Sequence, residues 1–263
     1  MVVAEPAEIM RSAAAAYRAA LAKGELLESL GSGCHAVINA DDPRVAALAG
    51  RCPAQIITFG IASPAQVRAV DVLSSAAGEN RFTLVIGKES IPVSLRIPGI
   101  HSVYNALAAA AAASLCGAGM QEIRAGLEAY TSFPGRMEII RLDNNITIIN
   151  DTYNANPVSM AIALKVLAQL RGTGRGIAVL GDMLELGEAS ETYHRQLGSL
   201  IADLPLSAAI LTGAHAHAVA AGAGERGTSG TAVSIADTPE EIARRLDGMV
   251  QPHDWILFKG SRG

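Results

Sequence analysis

In the second half of the chain, short apolar runs alternate with longer stretches whose apolar residues recur every three or four positions. The runs lie at 138–149, 177–181, 207–212, 231–235 and 255–259, and the stretches between them at 157–170, 190–202, 214–222 and 238–250. Runs of that length read as buried strands and the periodic stretches as amphipathic helices. Repeated strand-helix units predict a mostly parallel sheet with helices on both faces.

The first half is patterned differently. A helix is expected over 6–30, after which CHAVINADDP reads as a buried strand ending in an acidic turn, and AQIITFG as a second strand closed by Gly60. VRAVDVLSS, RFTLVIG and SIPVSLRIP are short, rich in β-branched residues and separated by Gly or Pro, which predicts a small antiparallel piece. A long helix follows PGIHSVYN, and a second over Met120–Tyr130 carries Met120, Ile123 and Leu127 at helical spacing. FPGR at 133–136 interrupts the pattern, and we place a domain boundary there, giving 1–133 and 134–263.

Composition narrows the function classes. Half of the 263 residues are hydrophobic and 17% are charged, so a sizeable core can form and disorder is not expected. A net charge of −4 without a Lys or Arg run lacks the electrostatic footprint of a nucleic-acid binder. Cys34, Cys52 and Cys116 lie far apart without CxxC spacing, which argues against a zinc site or a disulfide framework and fits a reducing cytoplasm. The alanine run Ala106–Ala113 is far shorter than the ~20 apolar residues a membrane span needs. Glu5, Glu8 and Glu25 in the opening segment do not match a secretory signal.

Three loops carry candidate chemistry. In NDTYNANPVSM (150–160), Asn156 and Pro157 have the grammar of a helix start. Asp151, Tyr153 and Asn154 sit where open α/β sheets place ligands, beyond the carboxyl end of a strand, so a plain turn and a site are both open. VLGDMLELG brings Asp182 and Glu185 to the same expected sheet edge, where two solvated loop acids are an equal alternative. LFKGSRG ends a strand with Lys259 and Arg262 among glycines, a combination that can hold a carboxylate or phosphate, or be a solvated basic turn. In the other half, His101 and Asn105 are four residues apart and share a helix face if the helix has begun by His101. Asn105 could read a purine edge with its amide, although spacing alone favours an ordinary capping region. No G-x-S-x-G elbow, H-E-x-x-H pair or G-x-x-x-x-G-K-[ST] phosphate loop is present.

AKGEL, INADDP, TFG, IPGIHSVYNALAAAAAA, FPGR, NDTYNANPVSM, VLGDMLELG and KGSRG occur in this order over nearly the whole chain. Together they resemble the Mur ligases, and the Y-N-A-N-P and G-D-M-L-E-L-G blocks resemble the branch that adds D-alanyl-D-alanine to UDP-N-acetylmuramoyl-tripeptide. The resemblance implies the later part of a central ATPase domain, a mixed sheet with helices, followed by a Rossmann-like, mostly parallel α/β C-terminal domain. It implies ATP and Mg²⁺ as cofactors, the tripeptide precursor and D-alanyl-D-alanine as substrates, an acyl phosphate between them, no nucleic acid or membrane insertion, and a cytoplasmic monomer.

Carried over by position, His101 and Asn105 would lie at the adenine, Arg136 at the nucleotide phosphates and Asp151 at the ribose hydroxyls, with Tyr153 and Asn154 lining the same pocket. Lys23 matches the lysine that relatives can carbamylate to help place Mg²⁺, which with Arg136 makes the catalytic pair. Asp182, Glu185, Lys259, Ser261 and Arg262 fall in blocks expected near the dipeptide. The family's phosphate loop, its Mg²⁺-binding glutamate and histidine, and its UDP-sugar domain have no counterpart here. A fragment inactive on its own is therefore expected. Asn150 stands where the family has aspartate and Ser102 where it has asparagine. Other readings are a non-catalytic nucleotide- or dipeptide-binding module, or a related amide ligase of the folylpolyglutamate or cyanophycin type, against which the Y-N-A-N-P block speaks.

Overall fold

A computed structural model of the chain describes residues 22, 24–75, 78–225 and 230–262. Most of the helix expected over 6–30 lies outside them, as does Lys23; residues 24–28 are helical. The chain divides into two compact units. One comprises Met1–Ser74, Asn80–Arg96 and Ile100–Tyr130, and the other Ser75–Glu79, Ile97–Gly99 and Thr131–Gly263.

The first unit contains β1 (His35–Asn39), α1 (Pro43–Ala47), β2 (Gln55–Gly60), β3 (Val67–Ser74), β4 (Asn80–Ile86), β5 (Glu89–Leu95), α2 (Ile100–Leu115) and α3 (Met120–Ala129). Its sheet has the order β1-β2-β3-β4-β5. The β1–β2 and β2–β3 junctions are parallel, and β3–β4 and β4–β5 are antiparallel. The expected antiparallel piece is thus the far side of one mixed sheet, joined to β2 by the pairs Phe59↔Val67 and Gly60↔Arg68. Along α2, Val103, Ala106, Leu107, Ala110 and Ala111 are buried, the i, i+3, i+4 stripe of an amphipathic helix. Their small side chains let α2 lie close on Phe82, Leu84, Ile91 and Val93. Burying Phe82 or Leu84 there contributes about 2 kcal/mol each.

The second unit contains β6 (Glu138–Arg141), β7 (Thr147–Asp151), α4 (Pro157–Leu170), β8 (Gly176–Leu180), α5 (Ser190–Asp203), β9 (Ala208–Leu211), α6 (Ala216–Glu225), β10 (Ala232–Ile235), α7 (Pro239–Met249) and β11 (Trp255–Lys259). The sheet order is β10-β9-β8-β11-β7-β6, parallel except where β6 meets β7. Alternate residues face opposite ways, so strand residues divide between two cores. Ile149, Ala178, Leu180, Ala209, Leu211 and Leu257 pack with α4, α5 and α6. Ile177, Val179, Ala208, Ile210 and Ile256 pack with Ile242, Leu246 and Met249 of α7.

The run expected as one strand over 138–149 is a hairpin instead. Asn144 and Asn145 both have φ of 59°, the left-handed conformation at both central positions of a type I′-like turn. Asparagine tolerates that region because its short amide can bond locally. The chain therefore reverses and pairs β6 with β7 in the register Glu138↔Asn150 to Arg141↔Thr147. Helices α5 and α6 cross at two glycines. A Cβ on Gly198 would collide with the Val219 carbonyl, and one on Gly222 with the Arg195 carbonyl.

Candidate functional site

Strands β7, β11 and β8 are neighbours, with Lys259 in register with both Asp151 and Leu180. The loops that follow them, 152–156, 260–262 and 181–187, therefore leave one edge of the sheet side by side, where parallel α/β sheets bind ligands.

The first loop is anchored by its own helix start. Asn156 Oδ1 accepts from Ser159 N at 2.9 Å, Asn156 N donates to Ser159 Oγ at 3.0 Å, and Pro157 occupies the first turn of α4. Upstream, Pro134 and Gly135 are the central residues of a tight turn. Arg136 N donates to Phe133 O at 3.0 Å, and Gly135 has φ of 76°. Tyr153 N donates to Gly135 O at 2.9 Å, which seats the turn against the loop. The Arg136 guanidinium then lies 3.7 Å from the centroid of the Tyr153 ring. Tyr153 is 49% exposed, so the pair offers a flat cation on an open surface.

Asp151 is held from two sides. Met137 N donates to Oδ1 at 3.0 Å and Lys259 Nζ to Oδ2 at 2.6 Å. Lys259 Nζ also donates to Asn154 O at 2.8 Å and to Asp151 O at 3.4 Å. Three acceptors thus engage the three N–H bonds of an ammonium whose side chain is 2% exposed. Lys259 thereby ties the end of β7 to the loop at Asn154.

The 181–187 loop is tied by five hydrogen bonds. Asp182 Oδ2 accepts from Ala214 N at 2.7 Å and its Oδ1 from His215 N at 3.0 Å. Gly213 must be glycine there: its φ is 101°, and a Cβ would stand 2.5 Å from Asp182 Oδ2. Met183 N donates to His194 Nε2 at 3.0 Å, Leu184 N to Ser261 Oγ at 3.0 Å, and Ser261 N to Asp182 O at 2.8 Å. Ser261 Oγ also donates to Ala155 O at 3.1 Å, which joins all three loops. Beyond these ties Glu185 is exposed with φ of 63°, and Arg262 is exposed as well.

In the first unit, α2 begins at Ile100, so His101 and Asn105 are one helical turn apart, half-buried and exposed respectively. Between them Tyr104 Oη donates to Asp41 Oδ2 at 2.9 Å. Asp41 also accepts from Ile61 N, Ala62 N and Ser63 N at 2.6, 3.0 and 2.6 Å. Burial works to raise the Asp41 carboxyl, but these backbone donors outweigh it and hold it well below the usual carboxylate range. Burial, the hydrogen bond to Asp41 and the Asp41 charge push the Tyr104 hydroxyl up to about 12.

Sequence reasoning missed His194, His215 and the Asp41–Tyr104 pair. His194 shares a stripe with Leu197 and Ile201 on α5, so a polar residue at an apolar position was the available signal. Nothing local marks Asp41, whose donors come from twenty residues or more along the chain.

The chain thus carries a mixed first sheet, a Rossmann-like second sheet and polar loops on adjacent strand ends of that second sheet. Residues 16–113 match the Mur ligase middle domain, and residues 135–262 match the Mur ligase glutamate ligase domain. The chain belongs to the Mur ligase family. It is 35% identical over 258 residues to the UDP-N-acetylmuramoyl-tripeptide--D-alanyl-D-alanine ligase of Mycobacterium tuberculosis, covering 91% of this chain and 50% of that protein. To the Escherichia coli enzyme of the same name it is 38% identical over 182 residues, 69% of this chain and 38% of that one. A crystal structure of MurF from Acinetobacter baumannii matches with a TM-score of 0.78 and 33% identity, covering 92% of this chain and 52% of that one. The chain spans about half the length of the relatives it matches.

Proposed function

We propose that this chain supplies the adenosine side and the amine side of an ATP-dependent ligase that joins D-alanyl-D-alanine to UDP-N-acetylmuramoyl-tripeptide. The observation that carries the reading is the meeting of the three loops at one sheet edge, in a chain 35% identical over 258 residues to a ligase of that name. In such a reaction the tripeptide carboxylate takes the terminal phosphoryl group of ATP, the amine attacks the acyl carbon, and phosphate and a proton leave. Asp151, fixed by Lys259 and Met137 N–H, keeps free lone pairs for a vicinal diol. Arg136, steadied on Tyr153, offers a guanidinium to phosphate oxygens. His101 and Asn105 share the helix face assigned to adenine. Asn154 lines the nucleotide side beside Tyr153, while Asp182, Glu185, Lys259, Ser261 and Arg262 frame the amine side, with Glu185 and Arg262 exposed to meet the dipeptide's ammonium and carboxylate. These residues suit a nucleotide. Mur ligases in general also use Mg²⁺, which would assist phosphoryl transfer; Lys23, the residue the resemblance links to it, lies outside the described residues.

A cytoplasmic setting goes with this reading; among the described residues no helix is long and apolar enough to cross a membrane. For a full-length ligase that joins this chain to a phosphate loop and a UDP-sugar domain, phosphate release from ATP that requires both the tripeptide precursor and D-alanyl-D-alanine is the expected result. Release indifferent to omission of the dipeptide, or supported equally by glutamate, would contradict it.

A further inference from the structure

His194 on α5 is 1% exposed, and each of its ring nitrogens faces a backbone group whose role is fixed. The Met183 amide, 3.0 Å from Nε2, can only donate. The Ser190 carbonyl, 2.7 Å from Nδ1, can only accept. The two partners are satisfied together by one species alone, the neutral imidazole with its proton on Nδ1. A second proton would point from Nε2 at the Met183 N–H. It would also have another place to go, since Asp182 Oδ1 lies 3.8 Å from Nε2.

We propose that His194 is a positioning residue, an imidazole latch that holds the 181–187 loop in place through its unprotonated Nε2 and lets go of it in acid. The proposal rests on the amine-side reading of that loop given above. When Nε2 gains a proton, the Met183 hydrogen bond is lost and the imidazolium is drawn to Asp182. Asp182 is then pulled from the Ala214 and His215 amides it accepts from, so the ties that present Glu185 loosen together.

The charged and titratable surroundings fit a ring kept neutral near pH 7. From the loop, Asp182 faces Nε2 with both oxygens already engaged by backbone donors. From the start of α6, His215 stacks on the ring with centroids 4.4 Å apart and planes at 21°, and its own Nε2 is 3.0 Å from Ser190 Oγ. Farther along, Arg195 of α5 pairs with Glu225 of α6 and with Glu191 of its own helix. Burial lowers the His194 pKa, and the His215 charge works the same way; the Ser190 carbonyl and Asp182 oppose them without prevailing. The latch therefore opens below the ordinary histidine value of about 6.5.

Amide hydrogen exchange on this chain tests the latch, with rates corrected for the intrinsic effect of pH. At pH 7 the Met183 amide should be protected. As pH falls from 7 into the acid range below 6.5 its protection should fall at least tenfold, while the β8 amides keep theirs. His194→Gln places an amide oxygen where Nε2 stood and should retain the Met183 protection down to pH 5. His194→Asn reaches only the Nδ1 position and should lose it at least tenfold already at pH 7. Met183 protection that does not change with pH in the native chain would overturn the proposal even if both variants failed to fold. Equal protection in the native chain and His194→Asn would do the same. Titration with D-alanyl-D-alanine separates the two claims. An absence of shifts at Leu184 and Glu185 would count against the amine-side reading, while Met183 exchange alone would still decide the latch.

Discussion

Asp41 lies just past β1 and Asp151 ends β7, yet the protein treats the two carboxylates differently. Asp41 receives three backbone N–H bonds and the Tyr104 hydroxyl, which closes it into the loop at 61–63. Asp151 receives one backbone N–H and one buried ammonium, at a sheet edge where two further loops converge. The first arrangement uses a charge to tie the backbone at 61–63 to the end of β1. The second fixes the carboxylate's position and leaves acceptor capacity over. The two differ in the number and kind of their donors, not in their place at a strand end.

Removing each support should expose the difference. The largest effect is expected from Lys259→Met, which strands Asp151 beside a nearly dry methylene pocket. Loss of one partner of such a pair costs about 3 kcal/mol, read as a lower urea midpoint for the second unit. Adding Asp151→Asn in the same chain should recover part of it, because the unpaired charge is gone. Asp41→Ala should cost about 2–3 kcal/mol in the first unit by leaving its donors unmet. Its contribution is also pH-dependent. A carboxyl depressed in the fold stabilises fully above its unfolded value near 3.8 and loses that contribution as pH falls from there through its lower folded value. Asp41→Asn should therefore flatten the acid limb of the stability curve, and an unchanged limb would contradict the assignment. Tyr104→Phe deletes a single bond to the same carboxylate and should cost about 1 kcal/mol. The smallest stability change, within about 0.5 kcal/mol, is expected from Tyr153→Ala, whose ring is half exposed. That variant should instead weaken ADP binding by roughly tenfold, the worth of losing the surface that orients Arg136.

Much of the second unit is legible in its pattern. The expected spans 157–170 and 255–259 coincide with α4 and β11, because Asn156-Pro157 starts the helix unaided and WILFK is a continuous apolar run. The hairpin at Asn144-Asn145 was written as consecutive turn formers but hidden inside an apolar stretch. The partners of a side chain were not legible. Nothing local pairs Lys259 with Asp151 across 108 residues, or places His194 under Met183; both depend on β11 inserting between β7 and β8 and on α5 returning over the sheet. Local chemistry survives in the sequence as spacing, whereas donor counts arise only when the strands are ordered.

The central claim is that the carboxyl edge of β7, β11 and β8 binds the adenosine portion of a nucleotide through Asp151, Arg136 and Tyr153. Titration of the ¹⁵N-labelled chain with ADP tests it most directly. Saturable shifts at the amides of Gly135–Met137 and Thr152–Asn154, abolished by Asp151→Ala in a chain that remains folded, are predicted. Shifts that bypass those amides, or that persist unchanged in Asp151→Ala, would contradict it.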